Sequence, residues 1–490
     1  MNKEITIKKQ VTATLIFMAV LFCGLVLPMI LNKPEYSLPV ESLMIISALL
    51  ISVFIMLTTD KTWEDIFESG LNTIKGALPG IIILLIIGPL IAGFIMSGLM
   101  PMLVYYGVKL IDPRFVYAIS LLLAGLFSTF TGTSWGSAAT IGVVMMGVGN
   151  AIGANPAIIA GAVVGGAYFG DKMSPLSDTT NIAAIASKVN LYDHIGSMIW
   201  TTGPATIIAF IVYLACGFIF PATNTNLNSP EIAGLLNDLS GIFNFNILLF
   251  IPLLIVLVGS AMKKPAIPVM AIAAFLALLF AVIFQNFTPS DVLSGLNSGF
   301  SLEMVTWHDY ALPVEGEAYI LGFFQRGGFW ELGNLPSITM SILFVVGVLG
   351  SIDAMPATVS VIFGKVKGRA SIIISSLLTG IAMIAMTANG IACSFVTAGI
   401  FGTKYDENNI DRRVLSRTTE DSGTLLEVLF PWTPAAIFFT QTLGVSVGEY
   451  AIWSLVNWVT PVIAIILAIT GIGTYKNSTK KNDKNKVKVS

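Results

Sequence analysis

Apolar residues form runs of bilayer-spanning length along most of the chain, and short polar segments separate them. Clear examples lie at residues 11–31, 43–57, 81–96, 196–220, 247–259 and 452–469. A helix needs about 20 apolar residues to cross the hydrocarbon core of a membrane. Only helices and closed barrels satisfy all their backbone hydrogen bonds there. The pattern therefore predicts an all-α polytopic membrane protein.

The composition supports a membrane location. Of the 490 residues, 55% are hydrophobic and 11% are charged, whereas a soluble domain carries about 25% charged residues. The formal net charge of −2 argues against a nucleic-acid partner. We expect the lipid bilayer as a partner and no cofactor, while the oligomeric state stays open, with a homodimer as one option.

The chain repeats itself weakly. The segment Asp65-Ile66-Phe67-Glu68-Ser69-Gly70-Leu71-Asn72 has a counterpart in Asp291-Val292-Leu293-Ser294-Gly295-Leu296-Asn297. Pro101 corresponds to Pro356, 255 positions later, and Pro175 to Pro431, 256 positions later. These offsets predict a first transmembrane repeat at 1–220, an extracytoplasmic connecting loop at 221–244 and a second repeat at 245–472. The second repeat carries a polar, aromatic insertion at 300–330, and a basic tail follows at 473–490.

The positive charges predict how the repeats are oriented, because cytoplasmic loops are rich in lysine and arginine. If each repeat has five crossings plus a re-entrant hairpin, 21 positive residues lie in the cytoplasm, together with both termini. Lys33, Lys109, Arg114 and Arg326 then lie outside, and Lys172 lies within the membrane. An odd number of crossings inverts the second repeat relative to the first, which is common among secondary transporters.

Two polar segments in each repeat interrupt the apolar pattern. The first is 131–137, with a counterpart at 387–394; both are rich in small polar residues. The second is 170–181, where Asp171, Lys172 and Asp178 flank Pro175, and its counterpart at 420–434 contains Glu420, Asp421 and Pro431. Charges at this depth are costly unless they line a wet cavity. The first break could instead be a helix-packing face, and the second a polar loop at the membrane surface.

The breaks predict a cation site, because interrupted helices leave carbonyl, hydroxyl and carboxylate oxygens free to replace an ion's water. A carboxylate in a poorly hydrated cavity can take up either a cation or a proton. We expect Asp178, Thr133 and Ser134 to bind sodium directly. The full set of candidate site residues is Asp178, Asp171, Ser174, Ser177, Thr179, Asn181, Thr133, Ser134, Asn389, Glu420, Asp421 and Thr433.

One motif resembles a known family. The segment Gly170-Asp171-Lys172-Met173-Ser174-Pro175-Leu176-Ser177-Asp178-Thr179-Thr180-Asn181 resembles the signature of the NhaC family of sodium/proton antiporters. Further matches are Gly132-Thr133-Ser134-Trp135-Gly136, Arg326-Gly327-Gly328, Glu420-Asp421-Ser422-Gly423-Thr424 and Pro431-Trp432, although Thr433 stands where the family pattern has asparagine. Together they cover about residues 65–445.

The resemblance implies a secondary transporter of the cytoplasmic membrane that exchanges sodium for protons by alternating access. The same group contains malate/lactate exchangers and amino-acid carriers, so a sodium- or proton-coupled carrier of a small organic acid or amino acid is the alternative. We do not expect an enzyme. Asp171 and Asp193 are poorly spaced for an intramembrane protease, and the phosphate-binding motif of a primary pump is absent from the sequence. A channel is less consistent with broken half-helices, which favour alternating access.

Overall fold

The computed structural model describes residues 3–27, 38–223, 230–262, 264–308, 324–330, 334–363 and 366–475. The α-helices of the N-terminal half are α1 Lys3–Leu21, α2 Val40–Thr58, α3 Trp63–Met96, α4 Leu99–Leu110, α5 Val116–Thr131, α6 Ser134–Ser137, α7 Val143–Ala151, α8 Pro156–Met173, α9 Asp178–Ser187 and α10 Leu191–Ile219. The π-helical segment Ala138–Gly142 joins α6 to α7, and Phe22–Val26 extends α1.

The C-terminal half continues the all-helical build. Its α-helices are α11 Pro230–Ile242, α12 Ile251–Ala261, α13 Ala266–Phe284, α14 Pro289–Ser298, α15 Asn334–Gly350, α16 Ala354–Phe363, α17 Arg369–Thr387, α18 Gly390–Glu407, α19 Arg412–Thr419, α20 Leu425–Glu427, α21 Pro434–Leu443, α22 Val447–Tyr450 and α23 Leu455–Thr470. A π-helical segment, Glu420–Thr424, joins α19 to α20. Short 3₁₀ turns occupy Pro113–Phe115, Ile247–Phe250, Leu302–Met304 and Ala451–Trp453.

Several of these helices are built to cross a membrane. In the described part of the chain, six helices are long and apolar enough to do so, or up to nine spans if three bent helix pairs each count as one. Large apolar side chains also cover the outer surface: Leu57, Leu110, Ile247 and Phe275 are each at least 70% exposed. Such a surface suits contact with lipid rather than water. The prediction of an all-α multi-pass membrane protein is confirmed.

The predicted repeat has a counterpart in local structure. Helices α3 and α14 both begin with a capping box, in which a threonine and the aspartate three residues later exchange hydrogen bonds. Further along, helix caps recur in five pairs of residues, and the two members of each pair are 256 positions apart. The pairs are Gly132 and Ala388 in left-handed conformation, Asn155 and Asp411, Ser177 and Thr433, Lys188 and Gly444, and Asn190 and Ser446. The inverted orientation of the two repeats stays a prediction.

The predicted insertion separates two helices that correspond to the single helix α3. In the first repeat α3 is continuous, whereas α14 ends at Ser298 and α15 begins at Asn334. The end of the insertion packs on α3, where the Gly328 amide donates to the Gly88 carbonyl at 2.9 Å. The predicted loop at 221–244 contains α11. Residues 309–323 of the insertion, Lys33 and the tail beyond 475 lie outside the described residues.

Helices α5 and α8 pack with their backbones in direct contact. A Cβ atom added at Gly166 would lie 2.3 Å from the Leu121 carbonyl oxygen. At Gly170 it would lie 2.1 Å from the Gly125 carbonyl oxygen. The Ser128 hydroxyl also donates to the Ala167 carbonyl at 2.6 Å across the same contact. Small residues allow membrane helices to approach this closely, and here they fix the helix that carries Asp171.

Candidate functional site

The first break has the same construction in both predicted repeats. Helix α5 is followed by the capping residue Gly132 with φ of 68°, and α17 by the capping residue Ala388 with φ of 48°. The next residue starts a new helix: the Thr133 hydroxyl accepts from the Gly136 amide at 3.2 Å, and the Asn389 side chain accepts from the Ala392 amide at 3.0 Å. The left-handed residue ends one helix and the side-chain cap begins another. The sequence prediction of interrupted helices at both positions is therefore confirmed.

The second break also recurs. Helix α8 ends at Met173 and α9 begins after Ser177, whose hydroxyl accepts from the Thr180 amide at 3.4 Å. In the second repeat α20 ends at Glu427 and α21 begins after Thr433, whose hydroxyl accepts from the Ala436 amide at 3.2 Å. Each break thus presents one helix C-terminus and one helix N-terminus close together, an arrangement suited to ion binding.

The breaks of both repeats surround one cavity of about 310 Å³. It is the place where segments more than 200 residues apart in the chain meet. The residues that line it are Ile81, Thr133, Ser134, Trp135, Tyr168, Asp171, Lys172, Asp178, Thr179, Thr339, Leu343, Ala388, Asn389, Gly390, Thr424, Glu427 and Pro434. Carboxylate, hydroxyl and amide oxygens dominate its polar surface, and these are the ligands that hard cations such as sodium prefer.

Six of the twelve predicted site residues line this cavity, namely Thr133, Ser134, Asp171, Asp178, Thr179 and Asn389. The other six are not among its lining residues and have structural contacts instead. Ser174, Ser177 and Thr433 accept backbone amides in the breaks, and Asn181 donates to two carbonyls, those of Pro175 at 3.0 Å and Ser177 at 2.7 Å. Glu420 and Asp421 lie fully buried behind the cavity.

The two carboxylates at the helix ends occupy matching positions. Asp171 and Glu427 are 256 residues apart, the offset that relates the repeats. The Asp171 carboxylate faces the hydroxyls of Ser134 and Ser177, and its buried Oδ1 has no hydrogen-bond partner among the described residues. The Glu427 Oε2 atom lies beside Gly390, 3.8 Å from where a Cβ would stand. Ser134 and Gly390 each begin a helix, so each carboxylate faces a positive helix end.

Lys172 pairs with a residue of the other repeat. Its Nζ lies 2.9 Å from Glu420 Oε2, and both side chains are at most 2% exposed. The Thr424 hydroxyl donates to the same Glu420 oxygen. This arrangement differs from the pairing of Asp171 with Lys172 that sequence adjacency suggests, because neighbouring residues on a helix point in different directions. The Asp171 carboxylate is therefore left available to a ligand.

Glu427 was not among the predicted site residues, although the sequence contains a signal for it. Applying the 256-residue offset of Pro175 and Pro431 to Asp171 gives Glu427 directly. Thr424, Tyr168 and Thr339 were also missed. Their participation depends on the packing of distant segments; Tyr168, for example, packs against Phe439, and their ring centroids are 5.6 Å apart. Nothing local in the sequence encodes these contacts.

Broken helices that meet around a charged cavity, within a bundle of apolar helices, define the class of multi-pass membrane transporters. The chain belongs to the Na⁺/H⁺ antiporter family, whose sequence profile matches residues 166–472. The resemblance found in the motifs is thereby confirmed.

Relatives over nearly the whole length support this assignment. The chain is 38% identical to an uncharacterised Na⁺/H⁺ antiporter of Haemophilus influenzae, over 90% of this chain and 92% of that protein. It is 32% identical to the Na⁺/H⁺ antiporter NhaC of Alkalihalophilus pseudofirmus, over 97% and 99%. It is also 32% identical to the malate-2H⁺/Na⁺-lactate antiporter of Bacillus subtilis, over 97% and 99%.

Proposed function

We propose that this protein exchanges sodium for protons across the cytoplasmic membrane by alternating access. The observation that carries the proposal is the cavity shared by both repeats, in which Asp171, Asp178 and Glu427 present three carboxylates. Thr133, Ser134, Thr179 and Asn389 add neutral oxygen ligands. The NhaC relative bears the name of the same activity. Sodium and protons are cargo in this proposal, and the protein needs neither a cofactor nor a covalent step.

The charge of the cavity favours a cation. Among the described residues that line it, Lys172 alone carries a positive charge, and Glu420 already pairs with it. Three carboxylates remain for the transported species. Ionised carboxylates are costly in a poorly hydrated interior. Each state of the transport cycle therefore has a lower free energy when sodium or protons neutralise them. Competition of the two cations for the same oxygens then couples their movement in opposite directions.

The direct test uses proteoliposomes that contain the purified protein and hold a pH gradient. Added sodium should dissipate the gradient in the absence of any organic solute, and the rate should saturate with sodium concentration. Potassium at the same concentration serves as the control for ionic strength and membrane potential. A gradient that sodium leaves unchanged, in vesicles that contain folded protein, would contradict sodium/proton exchange.

A coupled carrier of a small organic solute is the second candidate. The cavity volume of about 310 Å³ reaches the lower end of small-molecule sites, about 300 Å³, and exceeds what one ion needs. Trp135 and Tyr168 add aromatic walls. An organic anion would meet three carboxylates and an already paired lysine, so it would need sodium beside it. A cationic amino acid would suit the charge directly, and one relative is the arginine/ornithine antiporter of Halobacterium salinarum, 29% identical.

The same proteoliposomes separate the two candidates. Malate, lactate, arginine and ornithine are added singly, with and without sodium, and proton movement and solute uptake are recorded. Under the first proposal none of them should be required, and none should accumulate. Uptake of one solute that depends on sodium or on the pH gradient, with no response to sodium alone, would instead identify a coupled carrier.

The proposed orientation places both termini and the lysines at 264 and 367 in the cytoplasm, with Arg326 outside. Single cysteines introduced at these three positions into a variant lacking Cys23, Cys216 and Cys393 test it. In intact cells a membrane-impermeant thiol reagent should label position 326 and leave 264 and 367 unlabelled until the membrane is opened. Labelling of 264 and 367 from outside would refute the hairpin topology and the inverted arrangement.

A further inference from the structure

The ion pair between Lys172 and Glu420 is unusual because its lysine also borders the transport cavity. Lys172 lines the cavity next to Asp171, whereas Glu420 lies behind the wall and is fully buried. The two residues belong to different repeats and are 248 positions apart. Glu420 therefore determines the direction of the Lys172 side chain, which is the one cationic group among the described residues that line the cavity.

The contacts of Glu420 are suited to holding that ammonium group in place. Its Oε2 accepts both from Lys172 Nζ at 2.9 Å and from the Thr424 hydroxyl. Glu420 lies in the π-helical segment Glu420–Thr424, which follows directly from α19. Single π-helical turns inside a helix often mark functional sites. Thr424 itself lines the cavity. Its hydrogen bond to Glu420 therefore links the Lys172–Glu420 ion pair to the cavity.

Removal of the Glu420 charge would leave a buried ammonium group without its partner. A lone buried charge is strongly unfavourable, and a long lysine side chain can change rotamer to find another carboxylate. Asp171 and Glu427 border the same cavity. An ammonium group tethered beside them would act as an internal competitor of the transported cation, at the high effective concentration typical of an intramolecular ligand.

We propose that Glu420 is a positioning residue that keeps Lys172 out of the cation site, and so sets the affinity for sodium. This inference deepens the proposed sodium/proton exchange and rests on it. It assigns Glu420 no direct contact with the transported ion. Its effect passes through Lys172, which distinguishes it from a ligand role such as that of Asp171.

The test compares Glu420→Gln with the double variant Lys172→Gln/Glu420→Gln in proteoliposomes. In Glu420→Gln the sodium concentration for half-maximal exchange should rise at least about tenfold, within the range of a typical coupling between sites. The maximal rate at saturating sodium should change much less, because sodium displaces the lysine. The double variant lacks the internal competitor and should regain most of the lost affinity.

Asp406→Asn is the matched control, since it removes the carboxylate of another ion pair, with Arg412 at 2.7 Å, away from the cavity. It should leave the half-saturating sodium concentration unchanged. If Glu420→Gln does not fold, stabilisation of the double variant by sodium, measured as a shift in melting temperature in detergent, decides the question. A folded double variant that sodium does not stabilise would overturn the proposal, because the pair would then be part of the site.

Further results distinguish failure of the positioning role of Glu420 from failure of the proposed sodium/proton exchange. Wild-type affinity in Glu420→Gln, as expected if Lys172 moves to Asp421 instead, would overturn the positioning role while leaving sodium/proton exchange intact. A double variant no better than the single variant would do the same. Absence of sodium-dependent proton movement in the wild-type protein itself would instead contradict the proposed function.

Discussion

Asp171→Asn should reduce sodium-driven proton movement to the level of empty vesicles while the protein still folds. The substitution removes a charge and hardly changes the side-chain volume. Asp171 is only 8% exposed, and its Oδ1 has no hydrogen-bond partner in the part of the protein that the structure describes. An amide at this position can neither bind a proton for transport nor neutralise a bound sodium ion. Initial rates of proton movement across a range of sodium concentrations measure the effect.

Asp178→Asn is the informative comparison. Asp178 lines the same cavity but is exposed, and it begins helix α9, where the helix dipole stabilises its charge without any ligand. We therefore expect weaker sodium binding in Asp178→Asn with exchange retained at high sodium. The sequence prediction names Asp178, and not Asp171, as a direct ligand of sodium. Normal sodium/proton exchange in Asp171→Asn, together with loss of exchange in Asp178→Asn, would identify Asp178 as the main cation ligand and contradict the role given to Asp171.

Gly170→Ala is expected to destabilise the protein severely. The new Cβ would lie 2.1 Å from the Gly125 carbonyl oxygen and 2.6 Å from the Thr129 amide nitrogen. Both atoms belong to the backbone of α5, so no side chain can move aside and the two helices must separate. Overpacking of a well-packed interior costs about 1–3 kcal/mol even where side chains can adjust. The melting temperature in detergent and the yield of monodisperse protein should both fall.

Gly196→Ala provides the matched control. Gly196 also lies in a long helix, α10, but a Cβ added there meets no atom of the described residues within 4 Å. The melting temperature of the Gly196→Ala variant should equal or slightly exceed that of the wild type, because alanine has a higher helix propensity than glycine. Equal stability of Gly170→Ala and Gly196→Ala would show that α5 and α8 do not pack as closely as described.

Local features of the fold were predictable because each depends on a few neighbouring residues. Runs of apolar residues predicted membrane helices, and the small and polar residues at 131–137 and 387–394 predicted breaks. Gly132 could be recognised because glycine readily adopts the left-handed conformation that ends a helix. Ala388 adopts it too, with φ of 48°, and only the comparison with the first repeat pointed to that position.

The composition of the site was harder to predict than its location. Asp171, Asp178 and Thr133 belong to recognisable breaks, and the structure brings them to one cavity. The partner of Lys172 could not be predicted from neighbouring residues, since Glu420 lies 248 residues away. Ser177 and Thr433 looked like ligands because hydroxyl groups bind cations, but the same groups also cap helices. Sequence alone does not say which of these two roles a hydroxyl group has.

The backbone contact between α5 and α8 also restricts how the molecule can move. Glycines of α8 lie directly against carbonyl and amide groups of α5, and the Ser128 hydroxyl donates to the Ala167 carbonyl across the same contact. One helix can therefore slide along the other only if the two first separate. The break after Thr131 and the break after Met173 are attached to these two helices. We therefore expect Thr133 and Asp171 to move together as parts of one rigid body in any rearrangement that opens the cavity to the opposite side of the membrane.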